Sequence, residues 1–173
     1  AGMGGKVGLK GTDGPEIVEL ARKLGATAEA PFRALQALKE LEILKDSIEI
    51  ITCPGAMGES VANKCGFKVT IIGAEKEETS AEDTRQAALE MMKLQIELLL
   101  FAGGDGTARD IYSSIKNAMP VIGIPTGVKM HSSVFALNPK RAGELALLYL
   151  TGKVKGFREA EVMDIDEELF RKG

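Results

Sequence analysis

The sequence predicts an α/β fold, a parallel sheet with helices on both faces in a three-layer arrangement. Three observations carry this. Short β-branched apolar segments alternate with longer amphipathic ones along the chain. The short segments are apolar throughout rather than at every second position, as strands covered on both faces are. Glycine clusters where those segments end: 20 of 173 residues, about 12% against a usual level of about 7%.

The elements follow in order. "GPEIVELARKLG" (Gly14 to Gly25) and "APFRALQALKELEIL" (Ala30 to Leu44) read as helices, with Pro15 and Pro31 at their starts and Gly25 closing the first. Strands are predicted at Ser47 to Cys53, Phe67 to Gly73, Glu97 to Gly103 and Pro120 to Pro125. Between the second and third lies the clearest helix, Ser80 to Gln95. There Ser80 and Asp83 form a capping-box pattern, and Ala87, Met91 and Leu94 keep one apolar face. A further helix runs from the cap Asn138 through Pro139 to a stop at Gly152. Right-handed crossovers place every strand-to-helix loop on one edge of the sheet, where ligands of such sheets bind. "PGAMGES", "GGDGT" and "PTGVKMHSS" all leave strands there and are expected to line one crevice.

Residues 1–155 are expected to form this α/β domain. The alternating "FREAEVMDIDEELF" fits an antiparallel or edge strand, so 156–173 is assigned to a linker or the start of a β-rich domain. "AGMGGKVG" has loop composition, whereas glycine-rich phosphate loops normally follow a strand. A leading strand is therefore expected to lie before residue 1.

Composition narrows the function. A net charge of −3 gives no basic excess for a nucleic-acid partner. No apolar run approaches the roughly 20 residues of a membrane span, and the opening residues lack the basic start and apolar stretch of a signal peptide. Cys53 and Cys65 have no metal-ligand spacing and point to reduced thiols and a cytoplasmic location.

The chemistry concentrates at "LLLFAGGDGTARDI". Glycines at 103, 104 and 106 remove Cβ atoms, so backbone amides can approach a ligand closely. The helix expected to begin near Thr107 adds unpaired N–H groups and a positive dipole end. These suit a phosphate, yet Asp105 repels one. The conflict resolves if the carboxylate faces a metal ion or a hydroxyl that must lose its proton, as phosphoryl transfer requires. The plainer alternative is a tight turn with Asp105 or Thr107 capping the helix, although a cap needs at most one neighbouring glycine.

"GGDGT" after an apolar strand resembles the hallmark of the NAD kinase and diacylglycerol kinase superfamily. "AGMGG" is similar to the tail of that superfamily's first glycine-rich loop, and "IGIPTGVKMHSSVFA" to its second conserved loop. The combination is most similar to the prokaryotic predicted ATP-NAD kinase branch that includes acetoin-catabolism proteins. The resemblance implies that Asp105 activates the acceptor hydroxyl, the 2′-OH of the adenosine ribose of NAD, and serves as metal-organising carboxylate. It implies nucleotide contacts from Gly2, Gly4, Gly5, Gly103, Gly104, Gly106, Thr107, Pro125, Thr126 and Gly127; Lys129 is a separate candidate to steady a phosphate, against the plain reading of a surface lysine. ATP and a divalent cation, Mg²⁺, are the implied cofactors, and a homo-oligomer is an analogy with relatives. The Leu-Gly-Phe of NAD kinases and the Asn-Asp of lipid kinases do not follow the second loop, where "KMHSSVF" stands. The acceptor therefore stays open between NAD and another alcohol, such as a lipid or a sugar, and a non-catalytic nucleotide-binding protein is the alternative of a different class.

The remaining candidates divide between binding and structure. Gly55 and Gly58 are read as phosphate or ribose contacts, against a turn in which Pro54 ends a strand. "GTDGP" reads as a turn with Asp13 as cap. His131, the single histidine, builds no triad or metal site, though its place beside Thr126 and Lys129 allows a substrate contact. Met91 and Met92 are assigned to the core, and Arg109 and Asp110 to surface pairs.

Overall fold

The computed structural model describes residue 16, residues 19–20, 23–127 and 130–154, residue 156 and residues 158–163. Helix α1 (Ala30–Lys39) leads through a single 3₁₀ turn at Glu42–Leu44 into β1 (Glu49–Thr52). Then come α2 (Glu59–Lys64), β2 (Lys68–Ile71), α3 (Ala81–Lys93), β3 (Leu99–Gly103), α4 (Asp105–Ile115), β4 (Val121–Pro125) and α5 (Pro139–Leu150). All four strands fall inside the predicted segments. The helix predicted over Ala30 to Leu44 breaks at Glu40, where the chain tightens into the 3₁₀ turn. Half of the predicted Gly14 to Gly25 segment lies outside the described residues, and residues 16, 19, 20 and 23 of it are helical; the Asp13 turn lies outside them.

Local chemistry sets the helix starts. Ser80 precedes α3, and its N–H and Oγ both donate to Asp83 Oδ2 at 2.8 Å, so the predicted pairing forms. Lys76 beside Asp83, together with these Ser80 groups, holds that carboxyl down at about 2. Asn138 caps α5 by accepting from the Arg141 N–H at 2.9 Å, and Pro139 occupies the first turn, where no N–H is needed.

The strands pair in parallel, β1 with β2 and β3 with β4. Among the described residues they form two two-stranded sheets, with no ladder joining them into the single sheet expected. Both pairs are nevertheless sandwiched between the same two helical layers. On one face, Ile48 and Ile50 join Leu98, Leu100, Ala102, Ile122 and Ile124 against Ala37 and Leu41 and against Ala142 and Ala146 of α5. On the other face, Ile51 and Cys53 join Leu99, Phe101 and Val121 against Ala88 and Met91 of α3 and Ala108, Ile111 and Ile115 of α4. The three-layer α/β class is thus observed.

Strand β2 departs from the expectation of full burial. Lys68, Thr70 and Ile71 are exposed, so β2 is left largely uncovered. Residues 158–163 carry no strand either. That segment instead lies along the loop before α5, where the Ser133 N–H donates to Glu161 O at 3.0 Å. Cys53 and Cys65 are buried free thiols, as expected of reduced cysteines, and they sit in opposite cores. No helix among the described residues is long and apolar enough to cross a membrane.

Helices α1 and α5 approach closely because small residues meet. Ala37, Ala142 and Ala146 are fully buried, and a Cβ on Gly143 would lie 2.1 Å from the carbonyl oxygen of Ala37. Helix propensity alone predicts that Gly143→Ala gains about 1 kcal/mol. Overpacking against rigid backbone costs about 1–3 kcal/mol. We expect packing to win, so that Gly143→Ala lowers the urea unfolding free energy. A gain in stability would show that the two helices separate freely.

Candidate active site at two strand exits

The β3–β4 register sets Gly103 opposite Pro125, and the Thr126 N–H donates to Gly103 O at 3.2 Å. The GGDGT turn and the second loop therefore leave the sheet side by side, as the crossover argument requires. Pro125 and Thr126 are buried there, and Gly127 is exposed.

Helix α4 starts at Asp105, two residues before the predicted start near Thr107, with Gly104 as the N-cap. No side chain caps it, so neither Asp105 nor Thr107 plays the capping role of the plainer reading. The amides of Asp105, Gly106 and Thr107 in its first turn have no acceptor within the helix. They open at the positive end of an 11-residue dipole.

The glycines of this turn answer to different demands. A Cβ on Gly103 would lie 2.4 Å from Thr107 Oγ1 and 2.6 Å from Thr107 Cβ, so the fold itself requires that glycine. A Cβ on Gly104 would meet nothing nearer than Met130 Cε at 3.9 Å, and its φ of −116° suits any residue. Gly104 is free of internal constraint and leaves backbone open to an incoming group.

The Asp105 carboxylate turns away from its own helix toward the second loop. Its Oδ1 accepts from the Ser132 N–H at 2.8 Å, the Ser132 hydroxyl at 2.5 Å and, more weakly, the His131 N–H at 3.3 Å. Its Oδ2 accepts from the His131 N–H at 3.0 Å. Burial pushes the Asp105 pKa up, but the Ser132 hydroxyl and the two amides outweigh it and hold the carboxyl below its ordinary value. Ser132, itself buried, also accepts from the Met163 N–H at 3.1 Å. One hydroxyl thus links the segment 158–163 to the aspartate.

Other predicted residues are placed elsewhere or engaged locally. Gly55 donates its N–H to Glu59 Oε2 at 2.8 Å. Gly55 has φ +56° and Gly58 φ +148°, and a Cβ on Gly58 would fall 2.0 Å from Thr52 Oγ1, so both glycines have local structural reasons. Met91 is buried in the core and Met92 packs against it, as assigned. Asp110 pairs with Arg85 of α3 at 2.7 Å. Gly2, Gly4, Gly5 and Lys129 lie outside the described residues.

A cavity of about 280 Å³ opens beside the second loop, lined by Pro125, Gly127, Met130, Ser132, Asn138 and also Arg33 of α1. Arg33 was not singled out by the sequence, where it is one basic residue on an amphipathic helix. Only the fold brings α1 to the β4 exit.

The residues fit a divalent cation in one way only. Among the described residues no group of three or more His, Cys, Asp or Glu side chains could hold a metal. Mg²⁺ is commonly held by one or two carboxylates plus substrate phosphates, so a cation arriving with a triphosphate, met by Asp105, suits this donor set. A resident site does not.

Residues 27–154 match the family model for the ATP-NAD kinase N-terminal domain, well over half of the chain. No curated protein and no solved structure matches.

The carboxylate clasp has a pH signature. The folded pKa of Asp105 lies below its unfolded value, so the clasp's stabilisation is present above the unfolded value, about 3.9. It is lost as pH falls through the folded pKa. The gap in unfolding midpoint between the wild type and Asp105→Ala should hold steady from about pH 7 to 5 and narrow below about pH 4. A gap unchanged down to about pH 2 would mean that the charge is not what holds the loop.

Proposed function

Because the chain belongs to the ATP-NAD kinase family through its N-terminal domain, we propose that it binds ATP and NAD and serves phosphoryl transfer to the 2′-hydroxyl of the adenosine ribose. The observation that carries this reading is the uncapped start of α4, with Gly104 open beside it and an anchored carboxylate one residue on. Amides of Asp105, Gly106 and Thr107 would receive nucleotide phosphate, whose charge favours a helix N-terminus. The Thr107 side chain stays packed against Gly103, so its contribution is its amide. Pro125 and Gly127, which line the neighbouring cavity, would contact the nucleotide from the β4 exit, and Thr126 is buried behind them.

Asp105 would orient the acceptor hydroxyl and accept its proton. Transfer of this kind asks the protein mainly for positioning and electrostatic stabilisation. A carboxyl held below its ordinary pKa stays ionised at neutral pH, ready to accept a hydrogen bond from that hydroxyl. Oδ2, with a single donor, is the oxygen with capacity to spare. Mg²⁺ bound to the triphosphate would neutralise phosphate charge beside it.

Two variants separate chemistry from fold. Asp105→Asn should cut NADP formation from ATP and NAD by about 10²–10⁴-fold, the usual weight of a general base. Wild-type turnover by this variant would remove Asp105 from the reaction. Gly104→Ala should cost the fold about 1 kcal/mol, alanine being a poorer N-cap than glycine, yet remain folded and weaken nucleotide binding about tenfold, since about 1.4 kcal/mol suffices for that. Unaltered affinity would move the phosphates away from this turn. Assays offering diacylglycerol or a sugar in place of NAD test the other acceptors, and nucleotide binding without turnover on any of them would mark a non-catalytic binder.

A further inference from the structure

We propose that Arg33 recognises a phosphate or pyrophosphate group of the bound nucleotide, one that is held in place and not transferred. This rests on the nucleotide-binding reading above. Among the described residues that line the cavity beside the second loop, Arg33 alone carries a charge. Its Nε is buried and makes no hydrogen bond, and its ion-pair partner Glu29 lies 3.5 Å away, beyond good hydrogen-bond distance. Nε thus faces Glu29, while the Arg33 side chain as a whole stays 34% exposed at the cavity, and a guanidinium fork matches phosphate oxygens. Glu29 sits one helical turn before Arg33 and does not line the cavity, so it steadies the guanidinium from outside.

The place of the cavity fixes what it takes. Asn138 borders it but spends its Oδ1 on the Arg141 N–H, so the start of α5 is already capped and Arg33 supplies the anion attraction. Ser132 lines the cavity and also holds Asp105. An anion beside Arg33 would thus share a wall with the reactive carboxylate without touching it. At about 280 Å³ the space is just below the range of drug-sized ligand sites, about 300–1,000 Å³, which suits a diphosphate better than a whole dinucleotide.

Calorimetric titration of the full 173-residue chain with inorganic pyrophosphate, ATP and NAD tests this. We expect the wild type to bind pyrophosphate, Arg33→Gln to lose at least tenfold in affinity, and Arg33→Lys, which keeps the charge but not the fork, to fall between. The nucleotide that loses affinity in Arg33→Gln, ATP or NAD, identifies the source of the phosphates. Should Arg33→Gln fail to fold, arginine-selective dicarbonyl labelling of the wild type replaces it. Pyrophosphate is then expected to slow labelling of Arg33 but not of Arg85 on α3. Nucleotide binding undiminished in Arg33→Gln, or labelling of Arg33 indifferent to pyrophosphate, overturns the proposal and leaves the GGDGT reading standing. A wild type that binds neither nucleotide nor pyrophosphate overturns both.

Discussion

The carboxylate of Asp105 ties three stretches of chain together, and the geometry of the crevice depends on that tie. Removing a carboxylate from water is costly unless donors replace the lost hydration. Here two amides and a hydroxyl from residues 131 and 132 do so, and together they outweigh the burial. Ser132 passes the constraint on to Met163 through its hydroxyl, and the Ser133 N–H adds a second tie to Glu161. A loop that would otherwise sample many positions is pinned against the start of α4. The same geometry leaves the two carboxylate oxygens unequal, one crowded with donors and one with a single donor.

The layers around the strands exist to bring those exits together. Parallel pairing of β3 with β4 puts Gly103 level with Pro125. Phe135 reinforces this from the outer edge of β4, where it bridges to Gly123 and meets the Phe101 ring edge-on, with centroids 5.4 Å apart. Helices α3 and α4 clamp one face, α1 and α5 the other. Because α1 is drawn against α5 by small residues, its first turns come to the β4 exit and carry Arg33 there.

Local patterns were legible, and tertiary ones only where crossover handedness decides them. The strands, the Ser80–Asp83 pairing and the Asn138 cap depend on neighbouring residues, and the sequence places them correctly. The company of GGDGT with the second loop followed from crossover handedness. The start of α4 was misplaced by two residues because its N-cap is a glycine, which carries no capping side chain to betray the boundary. The partners of Asp105 were hidden for a related reason: they are mostly backbone amides, and every residue type except proline has one. His131 attracted notice for its imidazole, whereas its N–H does the holding. Strand β2 looked buried because apolar content reports what a strand can cover, not whether a neighbour is there to be covered. Arg33 acquires meaning only through the contact between α1 and α5.

The placement of the two cysteines has its own consequence. Cys53 belongs to the core under α3 and α4, Cys65 to the core under α1 and α5, and burial pushes the pKa of both thiols up. With the strand layer between them they are natural gauges, one per face. The rate at which each reacts with a thiol reagent reports how often its own side of the molecule breathes, so loosening of the two halves can be timed separately without adding a label.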